Sequence, residues 1–203
     1  MTALEFRESL GQNSDQELLG LCLRDDITPY VFESKPEMWS LFKNQLALRL
    51  GTSADSIRVI GSGRLGFSLK PGNNLREFQD TSDIDVIVIS PDLFDELWQR
   101  LLEAAYPRPP MLQRLGGWIA ARRNEVYTGW ISPLEISLDS KIVGPKAKPV
   151  LQLRLQWFNA LKEASQYPPM RHEDISGRLY RTSSHADLYH LDSLAALRRS
   201  LLN

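Results

Sequence analysis

The sequence predicts an α+β fold in which a mixed β-sheet is flanked by helices, with further helices at both ends of the chain. Two observations predict it. Short runs of branched apolar residues, typical of strands, occur at residues 56–60 and 83–89. Apolar stripes with helical spacing precede and follow them, at residues 38–46 and 94–101. Strands therefore alternate with helices in the first half of the chain.

Length and composition indicate a single domain. The chain has 203 residues, of which 42% are hydrophobic, and this is enough for one well-buried core. We expect one domain over residues 1–203. Its core should lie at about residues 35–140 and a helical C-terminal part at about residues 150–203.

Charge and cysteine content exclude several classes of protein. The 24 Lys and Arg residues nearly balance the 25 Asp and Glu residues, so the chain lacks the strong positive field of a general nucleic-acid binder. The single Cys22 has no partner for an internal disulfide, and the three histidines show no zinc-ligand spacing. No leader segment or membrane-length apolar run is visible. We therefore expect a cytoplasmic protein with no membrane partner.

The N-terminal elements are predicted from apolar spacing and caps. Residues 4–24 are typical of one or two helices, broken near residues 11–14, that cover the core. Ser34 and Glu37 have the spacing of a capping box, and the helix that they predict ends at Gly51.

Two strands then carry the polar residues of interest. The strand at residues 56–60 runs directly into Gly61-Ser62-Gly63, and the strand at 83–89 begins with Asp83 and Asp85. Ser90 and Pro91 are typical of a helix start, and the buried stripe of that helix is predicted to be Phe94, Leu97, Trp98 and Leu101.

The second half of the chain contains five further predicted elements. They are a helix at 112–123, an alternating strand at 134–139, a helix at 150–166, a strand at 175–181 and a helix at 184–202 capped by Ser184. Alternation in the strand at 134–139 places Glu135 and Asp139 on one face.

The glycine loop at residues 61–66 also fits the letters of a dinucleotide-binding motif. That interpretation requires an unbroken helix across residues 67–76, and Pro71-Gly72 interrupts that span. A kinase-type phosphate loop is excluded because Lys70 lacks the required preceding glycine.

An apolar strand, a Gly-Ser pair, and then Asp83-Ile84-Asp85 on the next strand resemble the signature of the nucleotidyltransferase superfamily. The resemblance covers about residues 35–140. It implies the fold of DNA polymerase β. Within the superfamily, the sequence is similar to small stand-alone bacterial nucleotidyltransferase-like proteins, some of which are toxins or belong to phage-defence loci.

The resemblance assigns a role to each motif. Backbone N–H groups of Gly61, Ser62 and Gly63, with the Ser62 hydroxyl, are expected to bind nucleotide phosphates. The neighbouring Arg64 either contacts the γ-phosphate or only faces solvent. Asp83 and Asp85 are two apart on a strand and therefore project to the same side, where they would hold Mg²⁺ or Mn²⁺ as catalytic and metal-binding residues.

The family usually supplies a third carboxylate from a later strand. Glu135 is the best match for this catalytic and metal-binding position, Asp139 on the same face competes with it, and a third alternative is that neither serves. Lys70 and Arg76, in an extra loop at residues 67–81, are basic residues that either contact phosphate or are simply solvated.

Residues 178–181 allow two interpretations, nucleotide contact or packing within the fold. Tyr180 could stack on a base with Arg178 on a phosphate, or Tyr180 could pack under the last helix while Arg178 and Arg181 pair with nearby acids. The C-terminal helices could also hold an oligomer interface.

The function expected from the resemblance is magnesium-dependent transfer of a nucleoside monophosphate to an acceptor hydroxyl, with release of pyrophosphate. The acceptor remains open between a protein, a transfer RNA end, a nucleotide and a small molecule, and a role in bacterial defence or as a toxin is expected by analogy alone. The alternative is a degenerate member of the family that binds nucleotide, or a protein partner, without transfer.

Overall fold

The computed structural model describes residues 1–23, 27–105, 122–136, 148–167 and 174–202. Its helices are α1 (Ala3–Gln12), α2 (Asp15–Leu23), α3 (Pro36–Leu50), α4 (Gly61–Leu65), α5 (Pro91–Ala105), α6 (122–127), α7 (Lys148–Ala164) and α8 (Ser183–Leu202). Its strands are β1 (Ile57–Ile60), β2 (Ile84–Ile89), β3 (Trp130–Ile131) and β4 (Ile175–Tyr180). The predicted α+β class is confirmed.

The four strands of the described part form one mixed sheet in the order β1-β2-β4-β3. β1 is antiparallel to β2, β2 is parallel to β4, and β4 is antiparallel to β3. The parallel pair is connected through the long segment that contains α5, α6 and α7, as a parallel connection requires. β2 lies between β1 and β4 and therefore has hydrogen-bonded neighbours on both sides.

The sheet separates two hydrophobic clusters because successive side chains of a strand point to opposite faces. On one face, Ile84, Val86 and Val88 of β2 pack with buried residues of α3, α5 and α7. On the opposite face, Ile87 packs with buried residues of α1, α2 and α8. We call the second surface the α8 face; it also carries Ile60, Asp85, Ser176, Arg178 and Tyr180.

The predicted N-terminal cover is confirmed. α1 and α2 are joined at residues 13–14, and Phe6 and Leu18 are fully buried against the α8 face. Arg198 of α8 holds both helices, because its guanidinium donates to the carbonyl oxygens of Leu10 and Asn13 and pairs with Asp15.

Two helix caps agree with the sequence and two do not, since α8 already begins at Ser183 and Ser184 is therefore not its N-cap. Gly51 ends α3 in the left-handed conformation, and the Ser90 hydroxyl accepts a hydrogen bond from the Leu93 N–H at the start of α5. The predicted Ser34 capping box is wrong: the N-cap of α3 is Lys35, without a side-chain hydrogen bond. Pro36 at the first helical position starts this helix instead.

Two other predictions are corrected. The alternating segment at residues 134–139 is not a strand where it is described, since Pro133–Glu135 form a 3₁₀ helix and the edge strand β3 comes just before it. Proline at the first position of that turn cannot donate to a sheet ladder. The predicted buried stripe of α5 includes Trp98, but its side chain is 43% exposed.

The dinucleotide interpretation is excluded. α4 ends at Leu65 with Gly66 as its C-cap, and the following chain folds back as a hairpin in which Phe67 pairs with Glu77. No helix in the described residues is both long and apolar enough to cross a membrane.

Candidate functional site

The turn after β1 is the first part of the candidate site. Gly61 has a φ of +63°, a conformation that residues other than glycine rarely adopt. A Cβ atom at this position would lie 3.4 Å from Oδ2 of Asp85. The missing side chain therefore leaves open space between the backbone of the turn and the Asp85 carboxylate. Gly61 and Ser62 are both partly exposed.

Asp83 and Asp85 form the second part of the site. Asp83 is exposed just before β2, and Asp85 is half-buried within the strand. The two residues are separated by one position, and alternation along an extended chain places their side chains on the same side. Register across the sheet aligns Asp85 with Ile60 of β1 and Ser176 of β4.

Ser176 is a site residue that the sequence did not single out. Its hydroxyl donates a hydrogen bond of 2.5 Å to Oδ1 of Asp85. Oδ1 of the carboxylate thus faces β4, whereas Oδ2 faces the Gly61 turn. The strand that carries Ser176 was predicted, but its pairing with β2 is a long-range contact for which the sequence holds no local signal.

The predicted third carboxylate does not join this pair. Glu135 lies in the 3₁₀ helix, its side chain is 65% exposed, and its Oε2 lies 3.4 Å from an Arg122 nitrogen. Asp139 lies outside the described residues. Among the residues that the structure describes, no three His, Cys, Asp or Glu side chains form a group able to hold a metal ion.

The acids Asp83 and Asp85 nevertheless fit a divalent cation. Carboxylate oxygens are the ligands that Mg²⁺ prefers, and Mg²⁺ is commonly held by one or two carboxylates together with substrate phosphates. Oδ2 of Asp85, which lies beside the glycine turn, is the oxygen best placed to share a cation with a phosphate there.

Gly63 and Arg64 follow in α4 and are both buried. A Cβ on Gly63 would lie 3.3 Å from a methyl carbon of Val59, so this glycine permits close packing of α4 on the sheet. Arg64 is 6% exposed, and its guanidinium donates to the carbonyl oxygens of Leu21 and Ile27. A phosphate contact by Arg64 stays a prediction, and it would require this side chain to leave those carbonyls.

The extra loop after α4 is a folded hairpin. The Ser68 N–H donates to the Arg76 carbonyl at 2.8 Å, and Phe67 packs on Phe6 of α1 with ring centroids 5.3 Å apart. Lys70 and Arg76 are exposed, and their contact with phosphate stays a prediction.

A cleft of about 460 Å³ lies between this hairpin, the start of α1 and residues 27–33. Its lining includes Tyr30, Phe67, Phe78 and Arg64, but none of Gly61, Ser62, Asp83 and Asp85. The glycine turn and the two acids therefore lie outside this cleft, whereas Arg64 lines it.

The α8 face beyond the carboxylates is packed with aromatic side chains. Tyr180 is fully buried and contacts the rings of Tyr189 and His190, which confirms packing and not base stacking for this residue. Arg178 lies over the rings of Trp130 and Tyr189, at 5.6 and 5.1 Å from their centroids. Burial, and then the positive charge of Arg178, lower the pKa of His190 to about 4.

Two ion pairs outside the candidate site were not predicted from the sequence. Arg181 pairs with Asp95 of α5 at 3.0 Å, instead of with the acids near it in sequence. Glu125 of α6 is buried and pairs with Arg122 at 2.6 Å; burial raises the pKa of the Glu125 carboxyl, and Arg122 opposes that shift.

Comparison with known proteins identifies no relative: the chain matches no protein-family model, no curated protein and no solved structure.

Proposed function

We propose that this chain has a polymerase β-like nucleotidyltransferase fold and transfers a nucleoside monophosphate to an acceptor hydroxyl. The order α3, β1, α4, β2 and α5, with the Gly-Ser pair after β1 and the two acids at β2, supports the fold. The later strand β4, parallel to β2 and hydrogen-bonded to it, supports it further.

One observation carries the proposed function. Asp85 Oδ2 lies 3.4 Å from the position that a Cβ of residue 61 would take, and glycine leaves this position empty. A triphosphate that accepts hydrogen bonds from this turn would place its oxygens beside the Asp85 carboxylate. The negatively charged phosphate and the Asp85 carboxylate would repel each other there, and a shared Mg²⁺ would remove the repulsion.

Each residue of the site has a defined task in the proposed reaction. Asp83 and Asp85 hold the cation, which when bound neutralises the phosphates and the leaving pyrophosphate. The Gly61 turn and the Ser62 hydroxyl orient the triphosphate so that the acceptor oxygen can approach the α-phosphorus in line. The acceptor oxygen forms a bond to the α-phosphorus and gives up its proton to solvent, while the bond from the α-phosphorus to the bridging oxygen breaks and pyrophosphate leaves.

A second candidate function is nucleotide binding without transfer. The observation that favours it is the position of Glu135, which is solvent-exposed and ion-paired with Arg122. Ser176, and not an acid, is the residue in register with Asp85 on β4. Two carboxylates suffice to hold a nucleotide-bound cation, whereas activation of an acceptor hydroxyl by a second metal ion needs further ligands.

A labelling experiment separates the two candidates. The full chain is incubated with each α-³²P nucleoside triphosphate, Mn²⁺ or Mg²⁺ and cell extract, beside the double variant Asp83→Ala/Asp85→Ala. The matched control is Asp174→Asn, which removes an exposed acid at the start of β4.

Label on protein, RNA or a small product, made by the wild type and Asp174→Asn but not by the double variant, is the result expected for transfer. Metal-dependent nucleotide binding without label transfer would establish the second candidate. Binding that is equal in the wild type and the double variant would contradict both.

A further inference from the structure

Ser176 occupies a special position on the α8 face. It is the residue of β4 in register with Asp85, and neighbouring strands lie about 4.8 Å apart. A carboxylate at this position could therefore share a cation with Asp85. The sequence has a serine there, and its hydroxyl donates to Asp85 Oδ1 at 2.5 Å.

Because of this hydrogen bond, the two carboxylate oxygens of Asp85 have different surroundings. Oδ1 is occupied by the Ser176 hydroxyl, and Oδ2 faces the Gly61 turn where the phosphates are expected. Partners that orient a metal-binding carboxylate in this way typically change metal affinity by about 10- to 100-fold when they are removed. A hydroxyl adds no negative charge, so it supports one cation on Asp85 without attracting a second.

Other acidic residues do not supply a third carboxylate to the site of Asp83 and Asp85. Asp174, just before β4, accepts a hydrogen bond from the Ile84 N–H at its main-chain carbonyl, and its side chain is exposed. Glu135 is paired with Arg122. In the part of the chain that is described, these acids form no group of three with the pair at β2.

We infer that Ser176 is a positioning residue that orients Asp85 and limits the site to one divalent cation, the one that accompanies the nucleotide phosphates. This inference rests on the proposed nucleotide site, but not on transfer. It also specifies a substitution, Ser176→Asp, that would supply the ligand for a second cation.

The test counts manganese ions. The full chain is dialysed to equilibrium against ⁵⁴Mn²⁺ and inorganic tripolyphosphate, a probe that presents the phosphates without a base, and bound manganese is measured per bound tripolyphosphate. The variants are Ser176→Ala, Ser176→Asp, Asp174→Asn and the double variant Asp83→Ala/Asp85→Ala. Thermal unfolding of each confirms that it is folded, and Ser176→Ala carries the test if Ser176→Asp does not fold.

We expect one manganese ion for the wild type and for Asp174→Asn, and two for Ser176→Asp. Ser176→Ala should still bind one ion, with affinity about 10-fold weaker because Asp85 loses its orienting hydrogen bond. Two ions in the wild type, an unchanged affinity in Ser176→Ala, or loss of an ion in Asp174→Asn would each overturn the inference. Uptake by the wild type no greater than that of the double variant would instead contradict the nucleotide site itself.

Discussion

Substitution of Gly61 by alanine separates backbone strain from function, because the chain contains a matched control. Gly61 and Gly51 both have a positive φ, of +63° and +70°. A Cβ on Gly51 would meet nothing within 4 Å, whereas a Cβ on Gly61 would lie 3.4 Å from Asp85 Oδ2. The two variants therefore share the strain and differ in what the new methyl group touches.

The size of the stability effect follows from the conformation. An alanine in the left-handed region costs about 1–2 kcal/mol, and the reduced freedom of the unfolded chain offsets about 0.4–1 kcal/mol of this. Both variants should lose about 1 kcal/mol of unfolding free energy. The contact of 3.4 Å is an ordinary van der Waals distance, so no additional clash is expected at position 61.

The functional effect should be confined to Gly61→Ala. Its methyl group would cover Asp85 Oδ2 and fill the space that a phosphate is proposed to enter, and we expect the affinity for Mg²⁺-nucleotide to fall at least about 10-fold. Urea unfolding measures the first effect, and isothermal titration with a non-hydrolysable nucleoside triphosphate measures the second. Equal nucleotide affinity in Gly61→Ala and Gly51→Ala would contradict a phosphate site beside Asp85 Oδ2.

Three further predictions concern other contacts. Glu135→Gln should leave metal-dependent nucleotide binding unchanged while Asp85→Asn abolishes it, and a loss in Glu135→Gln measured by the same titration would restore Glu135 to the metal site. Arg198→Ala should lower the unfolding free energy by about 1–3 kcal/mol, because two main-chain carbonyls and Asp15 lose their hydrogen-bond donor. Arg181→Ala removes an exposed ion pair and should cost less than about 1 kcal/mol. Urea titration measures both changes. The lowered pKa of His190 means that the unfolded state binds more protons between pH 6.5 and about 4, so the unfolding free energy should fall as the pH drops through this window, by up to about 3 kcal/mol. His190→Gln should remove that part of the pH dependence, and pH profiles of equal slope would contradict it.

Local sequence signals predicted most elements of the fold. The branched run at β2 and the capped start of α5 were identified because strand alternation, a serine cap and an N-terminal proline act within a few residues. The two strands nearest the candidate site, β1 and β2, were both predicted. β4 was also predicted as an element.

What the sequence did not predict depends on contacts between distant segments. Nothing local pairs β4 with β2, and that register is what brings Ser176 to Asp85 across 91 positions. The alternation around Glu135 resembled a strand, but Pro133 starts a 3₁₀ turn there. Arg64 was expected beside phosphate from its position in the motif, yet α2 packs close enough to take its guanidinium.

The sequence also predicted only in part which apolar residues are buried and which are exposed. Helical spacing identified the buried Phe94 and Leu97 of α5, but the same stripe includes Trp98, which is 43% exposed. An apolar stripe shows which side of a helix faces the core without showing how far the neighbouring elements extend over it.

The proposed function requires that the Gly61 turn and the acids at β2 bind a metal-nucleotide together. A crystal structure of the chain grown with Mn²⁺ and a non-hydrolysable nucleoside triphosphate tests it most directly, because manganese is located by its anomalous scattering. We predict a manganese peak about 2.2 Å from carboxylate oxygens of Asp83 and Asp85, with the phosphates against Gly61 and Ser62. Nucleotide bound elsewhere, such as in the cleft beside Tyr30, with no manganese at Asp85, would contradict the account.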